Sequence, residues 1–303
     1  MSDQMRVFQK KIKTMHSLKS IIKTMKILSA INIASYEKSV KALQHYYQSV
    51  KLGLIACLLQ SPQIVQAVES KKVVTKRTGV VIFGSDQGMV GQFNDQIAEY
   101  AHHELGSIAA EKIIWPVGER VYSRLVDYPD LSVRNPFTLP NSIGHISTLI
   151  SQLLDEIERE RTLAEVDQLL IFYNKPKSGA KFEPTCLSLL PVDIKWMNSF
   201  MVKKWPTNMT PEVIDGIEIT FPNLIRQHLF TSIIKACVES LTSENACRLA
   251  SMQVAEKHID ELLESQYLKY NQERQNRIDE ELFDLVSGFE VIMAEDKLKN
   301  LVK

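Results

Sequence analysis

The apolar residues that open the chain follow one another in steps of three and four. Phe8, Ile12, Met15, Leu18, Ile22 and Met25, then Ile33, Tyr36, Val40, Leu43, Tyr47, Val50, Leu54 and Cys57, form a series that only Ser29 interrupts. A mean step of 3.5 held this long predicts a seam that winds on a partner helix as a left-handed coiled coil, rather than a face resting on a globular core. From Met1 to Gln60 the only glycine is Gly53 and there is no proline, so the pattern predicts one helix over 1–60, of roughly 90 Å at 1.5 Å per residue.

A second seam closes the chain. Val238, Leu241, Leu249, Met252, Ile259, Leu263, Tyr267, Tyr270, Ile278, Leu282, Leu285, Phe289 and Ile292 repeat the spacing, with gaps near Asn245 and Arg274, and no glycine or proline stands between Pro222 and Gly288. This predicts a helix over 216–303. Two such helices leaving one intervening domain on the same side must run antiparallel. Residues 1–51 carry ten Lys/Arg against two acids, Asp3 and Glu37, whereas residues 255–303 carry twelve acids against seven basic residues. A basic helix beside an acidic one gains attraction of the right sign, modest per pair in water.

Between the seams the period shortens. Runs at Gly79–Gly84, Ile113–Val117, Asp167–Tyr173 and Thr185–Val192 read as strands, and Phe93–Leu105, Glu119–Val126 and Ile143–Glu160 read as helices. The alternation predicts an open, Rossmann-like α/β sheet over about 75–205. Lys203–Asp215, with Pro206 and Pro211, reads as the connection to the second long helix. The fold class is therefore α/β: a long antiparallel coiled coil of N- and C-terminal helices plus a Rossmann-like domain.

The candidate chemistry is sparse. The loop Gly84-Ser85-Asp86-Gln87-Gly88-Met89-Val90-Gly91 sits after the first strand, where dinucleotides bind. It has Asp86 where G-x-G-x-x-G needs glycine, and Met89-Val90-Gly91 where a P-loop needs Gly-Lys-Ser/Thr. An acid at the loop mouth also repels pyrophosphate. A structural turn, with no bound cofactor, is the reading. His102 and His103 are adjacent and point about 100° apart on a helix, which cannot serve one metal ion. The four cysteines form no Cys-x-x-Cys pair and read as reduced thiols. The sequon Asn208-Met209-Thr210 is followed by Pro211 in a chain with no secretory signal, and carries no meaning. With 36 basic and 36 acidic side chains the net charge is zero, which gives no reason to expect a nucleic-acid binder. No apolar run approaches membrane-span length, so a soluble protein is expected. The basic start (Arg6, Lys10, Lys11, Lys13, Lys19, Lys23, Lys26) could belong to a transit peptide, a nucleic-acid arm or one face of a shaft. Its seam continues past Lys51, which favours part of the mature fold.

Five stretches resemble F-type ATP synthase gamma subunits. Ile21-Ile22-Lys23-Thr24-Met25-Lys26-Ile27-Leu28-Ser29-Ala30 is similar to K-I-T-K-A-M-K-M-V-S-A, and Ser85–Asn94 is similar to S-D-R-G-L-C-G-G-F-N. Ser240–Met252, Tyr270–Gln275 and Ile278–Gly288 are similar to S-L-A-S-E-x-A-A-R-M-A-A-M, Y-N-x-A-R-Q and I-T-x-E-L/I-x-E-I-V-x-G. The resemblance implies a non-catalytic rotor whose partners are the alpha and beta subunits, the epsilon subunit and the membrane c-ring. It touches the membrane only through that ring, as a peripheral protein on the cytoplasmic face of a bacterial inner membrane. By position, Met25, Lys26, Arg248, Arg274 and Gln275 would contact the catalytic subunit.

The chain departs from the pattern where Ala30-Ile31-Asn32-Ile33-Ala34-Ser35 stands in place of A-A-K-L-R-R, where Gln87 and Val90 replace arginine and cysteine, and where Met293–Lys303 runs past the usual end. These departures suggest a divergent branch, with a sodium-translocating ATPase as the alternative. Two further readings compete: a nucleotide-binding α/β enzyme with coiled-coil arms, and a coiled-coil scaffold that does not rotate.

Overall fold

A computed structural model describes residues 3–61, 77–140, 142–164, 166–191, 209 and 212–301. The elements are helix α1 (Asp3–Gln60), strand β1 (Arg77–Phe83), α2 (Phe93–Gly106), β2 (Glu111–Val117), α3 (Glu119–Leu125), β3 (Ser132–Val133), α4 (Ile146–Ala164), β4 (Val166–Pro176), β5 (Phe182–Leu190) and α5 (Ile217–Leu301). The chain clusters into two bodies, an inner one of Ile27–Ser251 and a terminal one of Met1–Lys26 with Met252–Lys303.

The inner body is built on a five-stranded sheet of order β3-β2-β1-β4-β5. β1, β2, β3 and β4 pair in parallel and β5 closes the edge antiparallel to β4. Side chains alternate along each strand, so the near-continuous apolar run of β1 serves two faces at once. Val80 and Ile82 meet Ile97, Ala101 and Leu105 of α2 and Val121 and Leu125 of α3 on one side. Val81 and Phe83, with Trp115 and Ile171, meet Ile150, Leu153 and Ile157 of α4 and Ile233, Cys237 and Leu241 of α5 on the other. Tyr36 of α1 joins that second face, with Val40 and Leu43 packed against it.

The strands begin and end within a few residues of the sequence reading, except that β3 was not expected. At two residues it is too short to show a period. The helix expected from Ile143 opens as a 3₁₀ turn over Ile143–His145 before α4 proper. Pro222 and Gly288 do not bound the last helix: α5 starts after Gly216, which has φ +79°, and passes through both. Pro222 loses one intrahelical bond there, to the carbonyl four residues back. Most of the Lys203–Asp215 connection, and the asparagine and threonine of the 208–210 sequon, lie outside the described residues.

In the terminal body α1 and α5 are antiparallel, because partners on α5 fall as α1 numbers rise. Gln9 donates to the Tyr270 hydroxyl at 3.0 Å, His16 meets the Tyr267 hydroxyl at 3.0 Å, Lys19 pairs with Asp260 and Lys26 with Glu256. Each of these polar contacts joins the basic helix to the acidic one. The inner body repeats the sense: Asn32 meets Asn245 and Tyr46 meets Gln227.

Candidate contact surface and buried polar network

The glycine loop after β1 is tied down by its own side chains. Gly84 lies so close to α3 that a Cβ would sit 2.3 Å from the Val121 Cβ. Ser85 N–H donates to Asn94 Oδ1, and Asn94 Nδ2 returns a bond to Ser85 Oγ, both at 2.9 Å. Asp86 accepts from the Glu119 N–H at 3.1 Å and the Leu139 N–H at 2.8 Å, and the Arg120 N–H donates to Ser85 O at 2.9 Å. The first N–H groups of α3, which a phosphate would use, are thus engaged by this chain's own oxygens. The loop then turns through Met89 and Gly91, both at φ +62°, and buries Val90 and Phe93 against Cys247 of α5 and Phe182 of β5. Its chemistry is that of a dock between the α/β sheet and α5.

A band of buried polar groups continues from that dock. Asn174, at the end of β4, donates to Phe93 O at 3.0 Å, and Ser243 of α5 donates its hydroxyl to Asn174 O at 2.8 Å. One residue on, the Glu244 carboxylate accepts from Arg248 Nη2 at 2.6 Å, with side chains 6% and 10% exposed. Burial lifts the Glu244 carboxyl to about 7, against the pull of Arg248 and with a small push from Asp86. Tyr36 of α1 lies beside them, its hydroxyl pKa raised by burial first and then by Glu244. Asn32 Nδ2 donates to Asn245 Oδ1 at 3.3 Å, and Asn245 Nδ2 to Leu241 O at 2.8 Å.

The five residues singled out from the sequence are not gathered in one place. Met25 and Lys26 are half-buried, and the Lys26 ammonium rests on the Glu256 carboxylate, holding that carboxyl below its usual range. Arg274 and Gln275 are exposed on the same terminal body, eighteen residues of α5 beyond Glu256, or about 27 Å at the rise of a helix. Arg248 belongs to the inner body and points inward, to Glu244. Sequence reasoning did not find the Glu244–Arg248 pair, although the i, i+4 spacing of opposite charges was there to read. Late in α5 every residue from Ile278 to Glu290 is exposed, including Leu282, Phe283 (74%), Leu285, Val286 and Phe289.

Among the described residues no group of three or more His, Cys, Asp or Glu is placed to hold a metal ion. No described helix is long and apolar enough to cross a membrane. His102 instead stacks on Tyr128 and faces Asp130.

Comparison with known proteins follows the whole length of the fold. The model of the ATP-synt family, described as ATP synthase, matches residues 4–292. The ATP synthase gamma chain of Ruminiclostridium cellulolyticum is 26% identical over 303 residues, covering 95% of this chain and 98% of the relative. That of Anaeromyxobacter sp. is 26% identical over 309 residues, covering 95% and 99%. Among solved structures, the rotor of the Euglena gracilis mitochondrial ATP synthase superposes with a TM-score of 0.61 at 14% identity, covering 91% of this chain and 99% of that one. The central stalk and c-ring structure from Tetrahymena thermophila gives 0.54 at 21% identity, covering 78% and 99%. The structural likenesses speak to the fold, and the family model speaks to descent. With the sheet, the docked loop and nearly all of both long helices inside the matched span, the chain belongs to the ATP synthase family, among relatives that are gamma chains.

Proposed function

We infer that this chain is the central-stalk rotor of an F-type ATP synthase, non-catalytic itself, coupling ion flow to ATP synthesis or hydrolysis in partner subunits. The observation that carries the reading is the bare stretch of α5 from Ile278 to Glu290. Six large apolar side chains, Ile278, Leu282, Phe283, Leu285, Val286 and Phe289, stand exposed along this stretch of α5. An apolar helix of this kind needs enclosure by other chains. A ring of alpha and beta subunits supplies it.

In this reading Met25, Lys26, Arg274 and Gln275 present side chains to the catalytic subunits, and Arg248 acts at the same interface by fixing α5 from within through Glu244. The segments 1–60 and 216–303 form the shaft. Segment 75–205 forms the body that meets the epsilon subunit and the c-ring, at the cytoplasmic face of a bacterial inner membrane. Rotation would bias each catalytic site through contacts that differ with angle. The names of the relatives given above specify no coupling ion, and none is part of the proposal.

A tagged copy expressed in its native host is expected to bring down alpha, beta and epsilon subunits with ATPase activity. Recovery without them, or a saturable low-micromolar ATP or NAD site on the isolated chain, would sink the reading in favour of a scaffold or a nucleotide enzyme.

A further inference from the structure

The stretch Ala30–Ser35, where the chain leaves the family pattern, has a partner in the second helix. Asn32 donates to Asn245, and Asn245 is 4% exposed. The two amides meet at the gap noted in the second apolar seam. Their neighbours on α5 make the position exacting. Leu241 and Leu249 stand one turn to either side of Asn245, and Val238 stands one heptad before it. A slide of α5 along α1 by one turn in either direction, or by a heptad toward Val238, therefore sets an apolar side chain opposite Asn32. The half-buried Asn32 and the buried Asn245 then lose their mutual bond, and for Asn245, at 4% exposure, a lost partner is costly. Apolar contacts alone discriminate such slides poorly because they have no direction. A single buried asparagine on a seam is a known means of fixing register at some cost in stability.

We propose that Asn32 and Asn245 are positioning residues that set the register of α1 on α5 in the inner body, and that faithful coupling by the rotor depends on them. The second half of this rests on the function proposed above, and the first half does not. Neither residue touches a nucleotide. Both act by holding the two helices so that a torque on one is borne by the other without slip.

The test replaces the pair by apolar residues, Asn32→Leu with Asn245→Leu, in the full chain. Nitroxide labels at positions 46 and 227, whose side chains meet in the native register, report the alignment in a background with the four native cysteines replaced. The native chain is expected to give one distance. The double variant is expected to melt at the same temperature or higher and to show a second, longer distance population, as an axial slide of about 5.4 Å, one helical turn, carries the two labels out of line. In the reconstituted complex it is expected to keep its ATP turnover while ions moved per ATP fall by about twofold or more, since slip separates hydrolysis from transport. Asn32→Ser, too short to reach Asn245, is expected to give the same second population, and serves if the leucine pair does not fold. A single unshifted distance in a folded variant overturns the register role. Unchanged coupling in a complex whose wild type couples normally, alongside shifted distances, overturns the coupling role alone. Failure of the wild-type chain to couple at all counts against the rotor reading and leaves the distances to judge the pair.

Discussion

Glu244 and Arg248 face one another across a single turn of α5, 2.6 Å apart, where both side chains are at least nine-tenths buried. An ion pair so placed is held by its surroundings as much as by charge. Its neighbours Ser243 and Asn245 hydrogen-bond to β4 and to α1 respectively, so the same turn of helix touches the sheet and the other long helix.

Arg248→Ala is expected to destabilise the inner body by about 3–5 kcal/mol, because it leaves a buried carboxyl without its partner. Arg248→Met combined with Glu244→Leu should recover most of that loss, since a buried pair exchanged for apolar groups of similar volume is often close to neutral. Urea unfolding followed by circular dichroism measures both. A single variant as stable as wild type would mean that the pair contributes nothing in the fold.

The same carboxyl predicts a pH dependence. Burial raises Glu244 from 4.5 to about 7, so between those values the folded chain keeps a proton that the unfolded chain has released. The contribution to stability is full below about 4.5 and is lost as pH rises toward 7, following the difference in bound protons. Subtracting the stability of Glu244→Gln from that of wild type at each pH isolates it. The difference should fall with rising pH across this window, and a difference that rises instead has the wrong sign for a buried acid.

Gly118 caps α3 with φ +118°, and a Cβ there would lie 2.8 Å from the backbone oxygen of Ser85. Neither the angle nor the clash has an easy escape, because Ser85 O also accepts the Arg120 N–H. Gly118→Ala is expected to cost about 2 kcal/mol or more. Gly144→Ala, with open space around its Cα and no positive φ, is the control and should change little. The two are compared by thermal melting.

Much of this fold was legible because its periods are clean. The α1 seam and the two-faced β1 run each follow from one burial geometry repeated over many residues. The polar band was not legible, since Asn32, Ser243 and Glu244 come from two helices more than 200 residues apart and lie off the seams instead of extending them. In the sequence Asp86 reads only as an obstacle to phosphate. Its work as a double acceptor for Glu119 and Leu139 depends on a crossing of loops that no local pattern encodes. Arg248 shows the same limit: its place in a motif suggests a surface contact, and its packing turns it inward.

The exposed end of the terminal body gives a prediction in which stability and assembly part company. Arg274, Gln275, Phe283 and Phe289 are exposed, so Arg274→Ala with Gln275→Ala, or Phe283→Asp with Phe289→Asp, should leave the melting of the isolated chain unchanged to within about 0.5 kcal/mol. Inside the complex the two pairs should differ. On the proposed contacts of Arg274 and Gln275 with the catalytic subunit, the alanine pair is expected to lower ATP turnover or loosen coupling while assembly persists. The aspartate pair places charges where an apolar lining must close, and a charge buried without a partner is costly, so recovery of the assembled complex should drop. Gel filtration of the co-expressed subunits, with ATPase assays on each fraction, separates the outcomes. Full assembly and turnover with Phe283→Asp and Phe289→Asp in place would show that the end of α5 lies outside any partner's grip, and would remove the observation on which the rotor assignment chiefly stands.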